Sequence, residues 1–172
     1  MTDAANDALA AILGLIVARL EAASAPVCRA FVAPGGMAPW DACCGCRDAE
    51  GQAWTLAERV YPADPFPLQD TGAQRCRPTG YAADVVAAAL RCAHTVDDHG
   101  TAPPASVVTA DAEKVGRDRR LIRDALLCDW LDADSDPGVF RLGEWTPLGP
   151  QGGCVGGMWR VTLALPAEAC PD

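Results

Sequence analysis

Lysine is nearly missing from this chain. Lys114 stands alone among 14 basic residues, and there are two histidines. Aromatic residues make up 6% of the sequence. With a net charge of −9 and a pI near 4.6, the chain lacks the clustered Lys and Arg that neutralise duplex phosphates. It also lacks a long apolar run. The stretch Ala8 to Leu20 follows Asp3 and Asp7 instead of a basic segment, is interrupted by Arg19, and is too short to span a bilayer. We therefore expect no signal peptide and no membrane association, with folding in a cytosol. The arginine bias beside abundant Ala, Gly and Pro looks like the coding of a GC-rich genome.

What remains is enough for one domain. The 172 residues are 50% hydrophobic, and a chain of this length buries roughly two thirds of its unfolded surface. An acidic surface keeps a protein soluble and off nucleic acid. The nine cysteines are many for a cytosolic protein. Their odd number prevents complete pairing within one chain.

Hydrophobic periodicity predicts two helices. Leu9, Ile12, Leu13, Ile16 and Leu20 lie on one face of a helix over 3–23, with Thr2 or Asp3 as cap and Pro26 as stop. A second helix over 109–131 takes Thr109 as N-cap and places Asp111 and Glu113 in its first turn. Its core stripe is Val115, Ile122, Ala125, Leu126 and Trp130. Arg117, Arg119, Arg120 and Arg123, interleaved with Asp118 and Asp124, read as a solvated face or a subunit contact.

Strands are predicted over 27–33, over 52–61 with 43–47 as its partner, and in a C-terminal hairpin of 139–148 and 158–165. In 52–61, Trp54, Leu56, Glu58 and Val60 share one side, with Thr55 and Arg59 opposite. Residues 62–79 and 97–106 read as loops. Segment 80–95 is ambiguous: alanine favours helix, whereas Val86, Ala88, Leu90 and Cys92 would share one face of a strand. The order gives an α+β domain: an N-terminal helix, an antiparallel sheet of about four to six strands, a second long helix packed on it, and a terminal hairpin.

No motif carries chemistry. The connection Gly149 to Gly157 is dense in glycine but has no lysine and precedes a strand pattern, so it reads as backbone demand and not as a phosphate loop. Cys43, Cys44 and Cys46 with Cys76 could supply four thiolates, yet C-C-x-C is not a zinc-knuckle spacing; burial or disulfides are the plainer readings. Cys92, His94 and His99 are a weaker set. The carboxylate pairs Asp97-Asp98 and Asp134/Asp136 read as turn residues. Trp40, Trp54, Trp130, Trp145 and Trp159 read as core and interface anchors. We assign no catalytic, cofactor-binding or metal-ligating residue and expect no enzyme.

Three stretches carry a resemblance: R-C-A-H-T-V-D-D at 91–98, W-T-P-L-G-P-Q-G-G-C-V-G-G-M-W-R-V-T-L at 145–163, and W-D-A-C-C-G at 40–45. They resemble segments of neck and tail proteins of long-tailed actinobacterial phages. The resemblance implies a tail terminator, or a head-to-tail connector or stopper nearer the portal. Such a protein is a structural virion component with a compact α+β fold that closes into a ring, typically a hexamer. Its partners would be copies of itself, the major tail tube protein and the connector proteins. DNA would pass through the lumen without specific binding. In that fold 80–95 is a strand. The chain departs from the family pattern in its cysteines and in its loops at 34–46 and 62–79. A virion protein folds in a reducing cell and then leaves it, so late oxidation is open. A small cysteine-rich metal-binding module and a Cys-dependent enzyme are the competing classes.

Overall fold

A computed structural model describes residues 4–35, 43–46, 49–71, 80–96, 99–130 and 140–166. The chain runs α1 (Ala4–Ala22), β1 (Arg29–Val32), β2 (Gln52–Pro62), β3 (Tyr81–Cys92), α2 (Ala105–Asp124), β4 (Phe140–Gln151) and β5 (Cys154–Leu165). Five strands form one sheet in the order β1-β2-β3-β5-β4. This is the α+β class that the residue patterns predict. The sheet is mixed: β1 joins β2 in parallel, Phe31 opposite Trp54, while every other pair is antiparallel.

Helix α1 buries the five residues of its predicted stripe. It ends in a Schellman turn: Ala25 N–H donates to Leu20 O and Ser24 N–H to Glu21 O, with Ser24 left-handed at φ 53°. The turn, placed just before Pro26, stops the helix. Its predicted caps Thr2 and Asp3 lie outside the described residues. Helix α2 starts four residues earlier than predicted, after Pro104, so Thr109 is inside it and its hydroxyl donates to Ala105 O. Proline fixes φ and needs no amide partner, which makes it a ready lead into a helix. Asp111 consequently sits beyond the first turn. The helix continues through a π-helical turn, Ala125–Asp129.

The ambiguous segment is the central strand. β3 lies between β2 and β5, and Ala82 through Leu90, Asp84 excepted, is buried. Both faces of β3 are covered, so its pattern is a continuous apolar run without alternation. Alanine there keeps the sheet close to the layers on either side. Tertiary position overrides helix propensity.

One sheet face packs on both helices. Leu9, Ile12, Ile16 and Leu20 meet Ala53, Val85, Ala87, Val161, Leu163, Ile122 and Leu126 in the main core. Thr55, fully buried, donates its hydroxyl to Leu9 O at 3.0 Å and ties β2 to α1. The opposite face carries a second cluster: Trp54, Leu56, Val86, Ala88 and Leu90, with Ala33, Cys43 and Cys154 over it.

Two strand predictions need correction. Residues 43–46 are no strand beside β2; Cys46 makes only an isolated bridge with Ala49. Disulfides pull this segment onto the second face, and β1 takes the edge instead. In β2 a bulge between Ala57 and Arg59 breaks the alternation, placing Glu58 and Arg59 together on the second face. Val60 is left 50% exposed.

The C-terminal hairpin is longer than predicted. Both strands run into the glycine-rich connection and turn over Gly152 and Gly153, at φ 57° and 74°. Two positive φ values are what a two-residue hairpin turn asks for. A Cβ at Gly157 would overlap the Trp145 ring. Backbone demand accounts for this glycine.

Candidate functional site

Chemistry-bearing side chains gather at two ends of the second face. At one end the C-C-x-C segment reaches three separate elements: Cys43 bonds Cys154 at the start of β5, Cys44 bonds Cys92 at the end of β3, and Cys46 bonds Cys28 before β1. The Cα–Cα distances of 5.5, 4.8 and 5.9 Å suit disulfides. Three of the four thiolates considered for a metal are thereby committed, and a disulfide sulfur is no thiolate ligand. Cys76 and Cys170 lie outside the described residues, and Cys128 is an exposed free thiol. Among the described residues no cluster of three or more His, Cys, Asp or Glu is arranged to hold a metal ion.

Beside this staple lies a buried ion pair absent from the sequence reading. Arg91 is fully buried, and Asp118 is 2% exposed. The guanidinium donates to both Asp118 oxygens, to Ala25 O and Pro26 O after α1, and to Glu50 O before β2. One side chain thus joins β3, α2 and two chain corners. Asp118 does not belong to the solvated helix face assigned to it. The available signal was a lone arginine closing the apolar run Val85 to Leu90: a charge in a central strand has to be paired.

Next along the chain, His94 leaves the sheet. Its N–H donates to Asp111 Oδ2 at 2.9 Å, and Nδ1 lies 3.0 Å from the same oxygen. Burial pushes the Asp111 carboxyl up. The His94 N–H, its ring and Lys114 outweigh that, so the carboxyl sits below its ordinary value. Lys114 also reaches Glu50. The stretch R-C-A-H is therefore a set of anchors: Arg91 to α2, Cys92 to the staple, His94 to α2. Asp97-Asp98 and Asp134/Asp136 lie outside the described residues, as does Trp40.

At the far end, the second face is open and charged. A shallow groove of about 490 Å³ is lined by Glu58, Arg59, Asp84, Arg141, Glu144 and Arg160, among others. Arg59 pairs with Asp84, whose other oxygen accepts from Thr162 at 2.8 Å and from the Tyr61 hydroxyl at 3.4 Å. Arg160 bridges Glu58 at 3.2 Å and Glu144 at 3.5 Å. Burial, then the Asp84 charge, pushes the Tyr61 hydroxyl above its usual value. Three acids face three arginines. Such a surface is electrostatically mixed and suits a partner with an equally mixed face.

The remaining tryptophans are anchors. Trp54 is buried; Trp145 and Trp159 pack at 5.7 Å between ring centroids, and Trp159 Nε1 donates to Arg119 O. Trp130 packs against the main core. Near it Arg19 forms a two-toothed pair with Asp129, which holds the Asp129 carboxyl below its ordinary range. No helix among the described residues is long and apolar enough to cross a membrane.

Compared with family models, with curated proteins and with solved structures, the chain matches none.

Proposed function

We propose that this chain is a structural subunit of a long-tailed phage particle, a tail terminator that closes into a ring at the head-to-tail junction. The observation that carries this reading is the disposition of layers. Both helices lie on one face of the sheet, and the other face ends in an open surface of alternating charge. A rigid wedge of this kind is suited to side-by-side contacts with copies of itself, and heterologous contacts that close make a ring. The element order agrees with that implied by the resemblance, with β3 at the position of the ambiguous segment. The sequence signatures fall on the anchors that hold the wedge: Arg91, Cys92 and His94 in β3 and just beyond it, and Cys154, Trp145 and Trp159 in the hairpin.

In this role the ring caps the tail tube and presents its upper surface to the connector proteins, while DNA passes through the lumen without specific binding. The test is twofold. Native mass spectrometry of the oxidised protein should give a closed assembly, with six 17.9-kDa chains as the expected count. Peptide mass spectrometry of purified virions should find the chain among the neck components. A strictly monomeric protein absent from virions would end this reading. A connector or stopper nearer the portal is the neighbouring role, and binding to purified tail tube protein separates the two.

A further inference from the structure

We infer that the segment Cys43–Cys46 is a redox latch over the second apolar face: open while its cysteines are thiols, closed once they are oxidised. All three disulfides of the described residues issue from these four residues and end on β5, on β3 and on the bend just before β1. What else holds the segment, among the described residues, is slight. Gly51 N–H donates to Cys43 O at 2.8 Å, Cys46 bridges its near neighbour Ala49, and the rest is the burial of Cys43 and long sulfur contacts from Cys43 to Gln52 Nε2 and from Cys44 to Gly153 O. Only Ala33 and Cys43 from outside the strands belong to the second cluster's buried residues, where Trp54, Leu56, Val86, Ala88 and Leu90 come from β2 and β3. The main core shares none of these residues and is closed by the helices. Loss of the three bonds therefore frees the cover of one face and leaves the other intact.

Closure proceeds by thiol–disulfide exchange with a small-molecule disulfide. A protein thiolate attacks one sulfur of the oxidant, forming a mixed disulfide and releasing one small thiol. The partner cysteine's thiolate then attacks the protein sulfur of that mixed disulfide. The protein disulfide forms, and the second small thiol leaves. Two electrons pass to the oxidant for each bond closed, and the two protons go to the departing thiolates. Access sets the order of reopening. Cys44 and Cys46 are exposed, whereas Cys43 and Cys154 are each 1% exposed. A reductant should open Cys44–Cys92 and Cys28–Cys46 before Cys43–Cys154. The latch requires no ring and stands apart from the phage reading.

Hydrogen exchange followed by mass spectrometry tests it on the full chain, fully reduced by a phosphine or oxidised by glutathione disulfide. In the reduced protein the Gly51 amide should exchange about tenfold faster or more, as for local opening, with the α1 amides keeping far more of their protection. Binding of an anilinonaphthalene sulfonate dye should rise in parallel and fall on reoxidation. The variant with Cys43→Ala, Cys44→Ser and Cys46→Ser should behave as reduced protein without any reductant. Equal Gly51 exchange in both states would overturn the latch. So would opening of the α1 amides together with Gly51 on reduction, which would make the bonds supports of the whole fold. Non-reducing peptide maps showing other cysteine pairs would overturn it as well.

Discussion

The helix-covered face of the sheet and the face behind it share the same strands but are closed by different means. On the first, Leu9, Ile12, Ile16 and Leu20 of α1 meet the sheet in one continuous core. On the second, a short segment covers one end through disulfides and the other end stays open and charged. The contrast teaches what each closure depends on. Apolar burial works in any solvent that favours folding, whereas the staple depends on the oxidation state of the surroundings. Arg91 sits where the two systems meet, beside Cys92 and against α2.

The largest expected effect comes from that meeting point. Removing one partner of a buried ion pair strands the other, at a cost of about 3–5 kcal/mol. Arg91→Ala should lose that much in urea unfolding and also free the corners at Ala25 and Glu50. Replacing Arg91 and Asp118 together by Met and Leu should recover most of it. If the double variant is no better than the single, the pair is not the source.

The two closures can then be set against each other. Ile16→Ala should cost about 2–5 kcal/mol, equally under reducing and oxidising conditions. Cys43→Ser with Cys154→Ser should cost about 2–4 kcal/mol more under oxidising than under reducing conditions. Stability that drops equally in both conditions for the cysteine pair would erase the distinction between the faces.

Acid sharpens the comparison on the helix side. The Asp111 and Asp129 carboxyls lie below their ordinary value of 3.8. Their folded forms hold protons less tightly than the unfolded chain, so they stabilise the protein above that pH. The contribution is lost as pH falls through the lowered folded values. Unfolding midpoints measured down an acid series should show Asp111→Asn losing less stability on acidification than the parent. The smallest effect on the monomer belongs to the open charged end. Arg160→Ala should change stability by less than about 1 kcal/mol, as exposed pairs do. On the ring proposal, the same change should lower the assembled fraction in native mass spectrometry.

Much of the architecture was legible in the residues because periodicity reports burial. The α1 stripe and Ile122, Ala125 and Leu126 of the second helix face one core, as their spacing indicated. β3 was harder, because a strand buried on both faces shows no alternation, and its alanines mimic a helix. The placement of Cys43–Arg47 failed because covalent constraint, not backbone pairing, positions Cys43–Cys46. Disulfide connectivity has no local signature: Cys43 finds a partner 111 residues away. Asp118 was misplaced because neighbouring arginines made its helix face look solvated. The charged groove was invisible until the β2 bulge put Glu58 beside Arg59, and a bulge depends on the partner strand.

The outer strand β4 carries a consequence for how copies of this protein can meet. It is twelve residues long and borders the sheet, yet it contains Pro147 and Pro150. Neither proline has an N–H to lend to a further strand. A newcomer cannot zip along this border from end to end, and so this edge resists extension into a fibre. Any copies that meet at this border would have to recognise one another by shape and charge.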